Sequence, residues 1–228
     1  MVQGVNNIAY TYDVNGFRNF KTVNNNTTTY YWLNGSLGGQ KTGEEYLLFL
    51  HDETGTIYGF VLKNGTQEET YYYDFNLQGD VVGIIDTAGT KVVEYSYDVW
   101  GVPLTVTGTL ADTIGQKNPI RYRGYYYDSE TGFYYLNTRY YDPEIGRFLN
   151  ADSAIGQMGN VQGTNMFAYC FDNPVNMSDS TGNRAVASIG VSVIRNVAAV
   201  AAVAVVACAV VAAAKGASYV IKKLLKKY

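Results

Sequence analysis

Hydrophobic and polar residues alternate in short runs over the first hundred residues of the chain. Apolar or aromatic runs such as YLLFL, IYGFVL and VVGII are separated by short segments rich in Gly, Asn and Asp. A period of two places successive side chains on opposite faces of a strand. The pattern therefore predicts short antiparallel β-strands that are joined by tight turns.

One turn signal recurs at a fixed spacing. Residues 10–16 and 95–101 both read YxYDxxG, residues 71–74 are a looser copy, and DETG at 52–55 and DTAG at 86–89 repeat the turn alone. An Asp carboxylate can accept hydrogen bonds from the backbone amides of such a turn, and Gly adopts a positive φ. Because one hairpin cannot bury its own aromatic face, the repeat predicts hairpins that stack into a curled antiparallel sheet.

Two segments have the polar composition of loops. Thr27–Thr29 follows three asparagines, and Thr105–Gln116 reads TVTGTLADTIGQ. Clusters of Asn, Thr and Gly between apolar runs favour connections over strands. We expect a polar loop at the first segment and a linker at the second.

Composition supports a β-rich body and reveals an uneven charge. The chain of 228 residues contains 22 Tyr, 24 Gly and only 4 Pro, and its formal net charge is −3. Seven basic residues and no acidic one follow Asn183, so residues 1–183 carry −10 and the rest carries +7. An acidic body repels phosphates, so we expect no nucleic-acid partner.

The residues that bind metals or form disulfides are scarce. The chain has one His and two Cys, Cys170 and Cys208, and their spacing matches no metal site or disulfide framework. No metal and no cofactor are expected. The first twenty residues lack an apolar run, so an ordinary signal peptide is not expected either.

The C-terminal segment is apolar and then basic. Val197–Ala214 has no polar side chain except Cys208. As an α-helix it would be about 27 Å long, close to a hydrocarbon core of about 30 Å. The sequence thus predicts a C-terminal hydrophobic α-helix in contact with membrane lipid. Its membrane-facing residues would be Val197, Val200, Val203, Val206 and Val210.

The last ten residues add an amphipathic end to this segment. Ile221, Leu224, Leu225 and Tyr228 share one helical face, and four lysines occupy the other. Such a face suits an anionic membrane surface. Burial inside a β-shell and a linker to a further domain remain the alternatives for the segment.

The most constrained stretch runs from Arg121 to Gly182. It begins RYRGYYYDSETGFYYLNTRYYDPEIGRFLNADS and later reads NMFAYCFDNPVNMSDSTG, with Tyr, Asp, Gly and Arg at fixed offsets. Together with the repeat, it resembles the C-terminal core domain of RHS/YD-repeat proteins, a family of polymorphic toxins and insecticidal-complex C subunits. The resemblance covers roughly residues 1–183.

This resemblance implies a mainly β fold with three parts. YD-repeat hairpins would occupy residues 1–110, the RHS core domain residues 111–183, and a helical effector or membrane tail residues 184–228. It also implies partners, which are the remaining segments of a β-shell or another subunit of a toxin complex. A membrane-associated, cell-surface or secreted location would follow.

The same resemblance implies a self-cleavage site. Its residues would be Arg139, Asp152 and Asp179, and the cut would fall between Asn183 and Arg184. Two carboxylates held close cannot both ionise easily, so one can activate water while the other donates a proton. The alternative is that both Asp residues cap turns. The sequence differs from the family pattern at Ser153 and Ser180, which replace Pro, and at Asn183, which replaces Leu.

Three functional hypotheses follow. The first is an RHS core fragment whose β-shell presents or encapsulates a membrane-active tail in bacterial toxin delivery or competition. The second is a membrane-anchored protein that binds surface carbohydrate on an exposed tyrosine row formed by Tyr71, Tyr73, Tyr95 and Tyr97, whose alternating spacing otherwise indicates packing. The third is a cis-acting aspartyl peptidase that releases the tail.

Overall fold

The computed structural model describes residues 7–152, 165–179, 181–183 and 185–187. Ten strands form one antiparallel sheet in which each strand pairs with its neighbours in the sequence. In chain order they are β1 Ile8–Tyr12, β2 Arg18–Val23, β3 Asn26–Leu33, β4 Ser36–Thr42, β5 Glu45–His51, β6 Ile57–Asn64, β7 Gln67–Phe75, β8 Val81–Ile85, β9 Lys91–Tyr97 and β10 Pro103–Thr107.

The turns between these strands are of two kinds, and both follow from the sequence. In the five-residue turn, the Asp52 Oδ1 atom accepts from the amides of Thr54 at 2.8 Å and Thr56 at 2.9 Å, and Gly55 has a φ of 84°. The same pattern follows β1, β8 and β9, and after β7 the amide oxygen of Asn76 replaces the carboxylate, because Asp74 of the looser copy lies within the strand. Two-residue turns such as Asn34-Gly35 have positive φ at both positions, which fits the twist of a hairpin. The predicted turn chemistry is confirmed.

The first loop prediction is wrong, and the second is wrong for Thr105–Thr107, which belongs to β10. Thr27–Thr29 belongs to β3, where threonine hydroxyls pair across strands, as between Thr28 and Thr42 at 2.8 Å. The segment Thr105–Gln116 continues β10 as far as Thr107 and then forms a π-helical turn at Ala111–Gly115. In both cases the β-branched Thr side chains suit an extended strand.

A second, smaller sheet follows the ten-stranded one. It contains β11 Tyr126–Asp128, β12 Phe133–Tyr135, β13 Tyr140–Asp142 and β14 Arg147–Phe148, and a two-stranded pair, β15 Met177–Ser178 and β16 Val186–Ala187, lies beyond it. Short 3₁₀ turns lie at Tyr122–Gly124 and Cys170–Asp172. The described part of the chain is therefore mainly antiparallel β, as predicted.

The large sheet curls around the small one. The Tyr12 hydroxyl of β1 lies 2.8 Å from the Tyr140 hydroxyl of β13, and the Tyr141 hydroxyl donates to the Trp100 carbonyl after β9 at 2.7 Å. In a flat sheet the outer strands would lie about 43 Å apart, at about 4.8 Å per strand. Contact of both ends with β13 therefore requires strong curvature.

Two clusters of buried side chains form the core. The first fills the space between the large sheet and residues 114–135 and includes Tyr30, Phe60, Tyr73, Ile84, Val93, Ile114, Ile120, Tyr126 and Tyr135. The second lies on the small sheet and includes Tyr122, Tyr125, Tyr134, Leu136, Tyr141, Phe148, Tyr169 and Cys170. Within the described residues, no helix is long and apolar enough to cross a membrane. The predicted tail helix, with Val197 through Val210, lies outside the described residues.

Candidate functional site

Arg139 lies at the centre of the predicted site, in the turn that leads into β13. Its side chain is 6% exposed, and its guanidinium carbon lies 3.6 Å from the centre of the Phe148 ring. A guanidinium stacked on a ring face is held in one orientation and attracted by the ring quadrupole. The donor groups of Arg139 are therefore fixed in space.

Both predicted carboxylates reach this one guanidinium. Asp152 Oδ2 lies 3.2 Å from Arg139 Nη1, and Asp179 Oδ2 lies 3.2 Å from Nη2. The Nη1 group also donates to the Met166 carbonyl at 3.3 Å. The structure thus brings together the three side chains that the sequence suggested, although they are separated by up to 40 residues.

Arg139 orients both carboxylates of the predicted site. In the structure Asp152 and Asp179 each form an ion pair with a different nitrogen of Arg139. Each carboxylate is therefore held by one nitrogen of the same buried guanidinium.

Asp179 also organises the loop that follows it. Its Oδ1 atom accepts from the amides of Gly182 at 2.9 Å, Asn183 at 3.1 Å and Thr181 at 3.4 Å. Asp179 is 1% exposed, and its sequence D-x-x-G repeats the turn signal of the large sheet. One carboxylate oxygen of Asp179 therefore caps the turn, as the alternative interpretation expected, and the other oxygen binds Arg139.

A pair of tyrosine hydroxyls is hydrogen-bonded to the backbone of Asp179. The Asp179 amide donates to the Tyr125 hydroxyl at 2.9 Å, and that hydroxyl lies 3.1 Å from the Tyr169 hydroxyl. Burial raises the pKa of Tyr125 well above its ordinary value of 10.0, so the phenol stays neutral and available for hydrogen bonding. Sequence reasoning did not assign a role to either tyrosine.

The predicted cleavage position lies at the edge of this site. Asn183 is exposed and follows Gly182, whose carbonyl accepts a hydrogen bond from Arg139 Nε. Arg184, Ser153 and Ser180 lie outside the described residues. Among the described residues, no group of three or more His, Cys, Asp or Glu could hold a metal ion.

The four tyrosines considered for carbohydrate binding do not form an exposed row. Tyr71, Tyr73 and Tyr95 are 5–7% exposed in the core, and Tyr97 is half-buried. The hydroxyls of Tyr95 and Tyr97 donate to the Gly115 and Val81 carbonyls. Since covered ring faces cannot stack on a sugar, these side chains serve packing, and the exposed-row interpretation of them was wrong.

A second buried ionic cluster was not found from the sequence. Arg18 of β2 is fully buried, and its Nη1 lies 2.5 Å from Asp128 Oδ2 of β11, while Lys21 Nζ lies 2.9 Å from Asp128 Oδ1. The rings of Tyr30 and Tyr135 each lie 4.5 Å from the Arg18 guanidinium. No local signal could reveal this cluster, because its partners are 110 residues apart.

Comparison with known proteins adds an independent view of the chain. No family model matches it. The tRNA3(Ser)-specific nuclease WapA of Bacillus spizizenii is 38% identical over 182 residues, which cover 77% of this chain and 7% of the nuclease. The double-stranded DNA deaminase toxin A of Burkholderia cenocepacia is 38% identical over 113 residues, 47% of this chain and 7% of the toxin.

A solved structure gives the same indication for the fold. A chain of the crystal structure of TcdB2-TccC3-Cdc42 superposes with a TM-score of 0.62 at 24% identity, over 77% of this chain and 9% of that one. These likenesses support a relationship to RHS-type toxins. The present chain thus spans less than a tenth of the length of each of these three proteins.

Proposed function

We propose that the chain is a wall and core segment of an RHS-type toxin, and that it carries a C-terminal effector segment. The observation that carries this proposal is the ten-stranded sheet that curls around a small second sheet. A curled wall filled with aromatic side chains is a scaffold, and it places residues 181–183, which lead to the C-terminal segment, at a built polar site.

The names of the relatives support a carrier role. One relative is named as a tRNA nuclease and another as a DNA deaminase, yet each contains a part similar to this chain. A module shared by proteins of different activity fits a common carrier better than a catalytic unit, because function resides in sites rather than in folds.

The proposal divides the chain as the resemblance suggests. Residues 1–110 would be YD-repeat hairpins, residues 111–183 the RHS core domain, and residues 184–228 the effector or membrane tail. Its partners would be further wall segments or another subunit of a toxin complex, and membrane lipid at the tail. Its place of action would be the cell surface or the space outside the cell.

The membrane activity of the tail can be tested with the full chain. We expect it to release dye from anionic vesicles and to release less from neutral ones. Val206→Asp should abolish release, because a charge within an apolar span is costly. Val14→Asp is the matched control, since Val14 is fully exposed in the turn after β1. Equal release by the wild type and Val206→Asp would contradict the membrane role.

Self-cleavage is a second candidate function, and one specific observation favours it. Arg139 binds both Asp152 and Asp179, and Asp179 holds the backbone of residues 181–183. A fixed guanidinium can stabilise an oxyanion, and a carboxylate can activate water.

Chain length after purification tests this candidate. We expect the wild type to separate into a body and a tail, and we expect Asp152→Asn and Asp179→Asn to remain full-length. Asp112→Asn, at an exposed position in the Ala111–Gly115 turn, is the control and should separate normally. A wild-type chain that stays intact would rule out self-cleavage but leave the carrier role standing.

A further inference from the structure

One peptide unit in the site is held at both of its polar ends. The carbonyl of Gly182 accepts from Arg139 Nε, and the amide of Asn183 donates to Asp179 Oδ1 at 3.1 Å. The carbonyl oxygen and the amide nitrogen belong to the same peptide unit, the one that joins Gly182 to Asn183. The family pattern indicates a cut one bond later, between Asn183 and Arg184.

The contact at the carbonyl is preorganised. Arg139 is fixed by the Phe148 ring at 3.6 Å, by two carboxylates at 3.2 Å and by the Met166 carbonyl at 3.3 Å. A charged donor that already lies on a carbonyl oxygen stabilises the negative charge that develops there when water attacks. Little reorganisation is then needed in the transition state.

Gly182 is required for this geometry. It is buried and has a φ of 75°, and a Cβ at this position would lie 2.7 Å from the Leu136 carbonyl oxygen and 2.8 Å from Thr138 Oγ1. The hydroxyl of Thr138 also donates to the Thr181 carbonyl at 2.9 Å. Any larger residue would move the carbonyl away from Arg139.

We propose that the bond aligned for hydrolysis is Gly182–Asn183 rather than Asn183–Arg184. This inference rests on the self-cleavage candidate. A water oxygen adds to the Gly182 carbonyl carbon, and the bond from that carbon to the Asn183 nitrogen breaks. One water proton passes through the Asp179 carboxylate to the departing nitrogen. The new carboxyl then gives its proton to the amine, which leaves a Gly182 carboxylate and an Asn183 ammonium.

The intact mass of the released tail decides between the two bonds. We expect the purified full chain to yield a fragment that begins at Asn183, one asparagine heavier than a fragment that begins at Arg184. A fragment that begins at Arg184 would overturn this inference and leave self-cleavage in place. A chain that stays intact would overturn self-cleavage and this inference with it.

Substitution of Arg139 tests the role of its guanidinium. Arg139→Lys keeps the charge but loses the planar set of donors, so we expect release roughly 100-fold slower, as for loss of an oxyanion donor. Arg147→Lys, at an exposed position in β14, is the control. Release by Arg139→Lys at the wild-type rate would overturn the inference.

The variant Asp179→Asn distinguishes loss of the proton acceptor from loss of the fold. This change keeps the size of the side chain and an oxygen for the loop amides, but it removes the proton acceptor. We expect the variant to fold with a lowered denaturation midpoint, because buried Arg139 loses one of its two carboxylates, and to show no release. A folded Asp179→Asn chain that still releases a tail beginning at Asn183 would contradict the proposed proton path.

Discussion

Arg18 places a positive charge inside the core. Its side chain is fully buried, as is that of Asp128, and Lys21 completes the cluster with 8% side-chain exposure. Burial of an ion is costly, and a partner in good geometry offsets that cost. The aromatic rings of Tyr30 and Tyr135 add cation–π attraction over the guanidinium.

Loss of one partner should therefore be severe. We expect Asp128→Asn to lower the free energy of unfolding by about 3–5 kcal/mol, because Arg18 would remain charged and without its carboxylate. Urea denaturation measures this value. The control is Glu68→Gln, which removes the partly exposed ion pair with Lys63 and should cost about 0–1 kcal/mol. Similar losses for both variants would contradict a buried ionic link.

The residue types around Asp128 indicate a turn but not its distant partners. The sequence D-x-x-x-G marks a turn, and the amide of Gly132 does donate to the Asp128 carbonyl at 2.8 Å. Nothing near Asp128 in the sequence indicates Arg18 or Lys21. Arg139, Asp152 and Asp179 could be grouped in advance only because a family resemblance connected them.

At the scale of elements, the hairpin turn is the unit that the sequence predicts best. Both its donors and its acceptors lie within five residues, so local chemistry decides its shape. The strand Asn26–Leu33 was predicted less well, because cross-strand pairing with β2 and β4 overrides the polar character of Thr27–Thr29. Tertiary context, which a local pattern does not contain, decides such segments.

The turn after β8 offers a direct test of this chemistry. Asp86 Oδ1 accepts from the amides of Ala88 and Thr90, both at 2.9 Å. We expect Asp86→Ala to lower the free energy of unfolding by about 1–2 kcal/mol, since two backbone donors lose their acceptor. Thr87→Ala in the same exposed turn should change it by less than about 0.5 kcal/mol. Equal effects in urea denaturation would contradict the proposed role of Asp86.

At the scale of the whole molecule, tyrosine determines the response to alkaline pH. Burial raises the pKa values of Tyr73, Tyr125, Tyr134 and Tyr169 well above the ordinary value of 10.0. Above pH 10.0 the unfolded chain releases protons that the folded chain retains. Stability that is fully present below that pH is therefore lost as the pH rises.

We expect alkaline unfolding to be cooperative. After the exposed tyrosines have ionised, the remaining tyrosinate absorbance should appear together with the loss of the far-ultraviolet circular dichroism signal of the sheet. Reversal on return to neutral pH would separate ionisation from chemical damage. Gradual ionisation of all tyrosines with an intact circular dichroism signal would contradict the burial of these rings.

The curled sheet has a consequence for the order of events during synthesis. Each strand of the large sheet pairs with the strand before it, so the sheet can form strand by strand during synthesis. Arg18, however, meets Asp128 only after a further 110 residues have emerged. Until then the Arg18 guanidinium must remain hydrated, and the hairpin of β1 and β2 cannot bury it. The strands β1 and β2 are made first, but they complete their packing only after β11 has been synthesised.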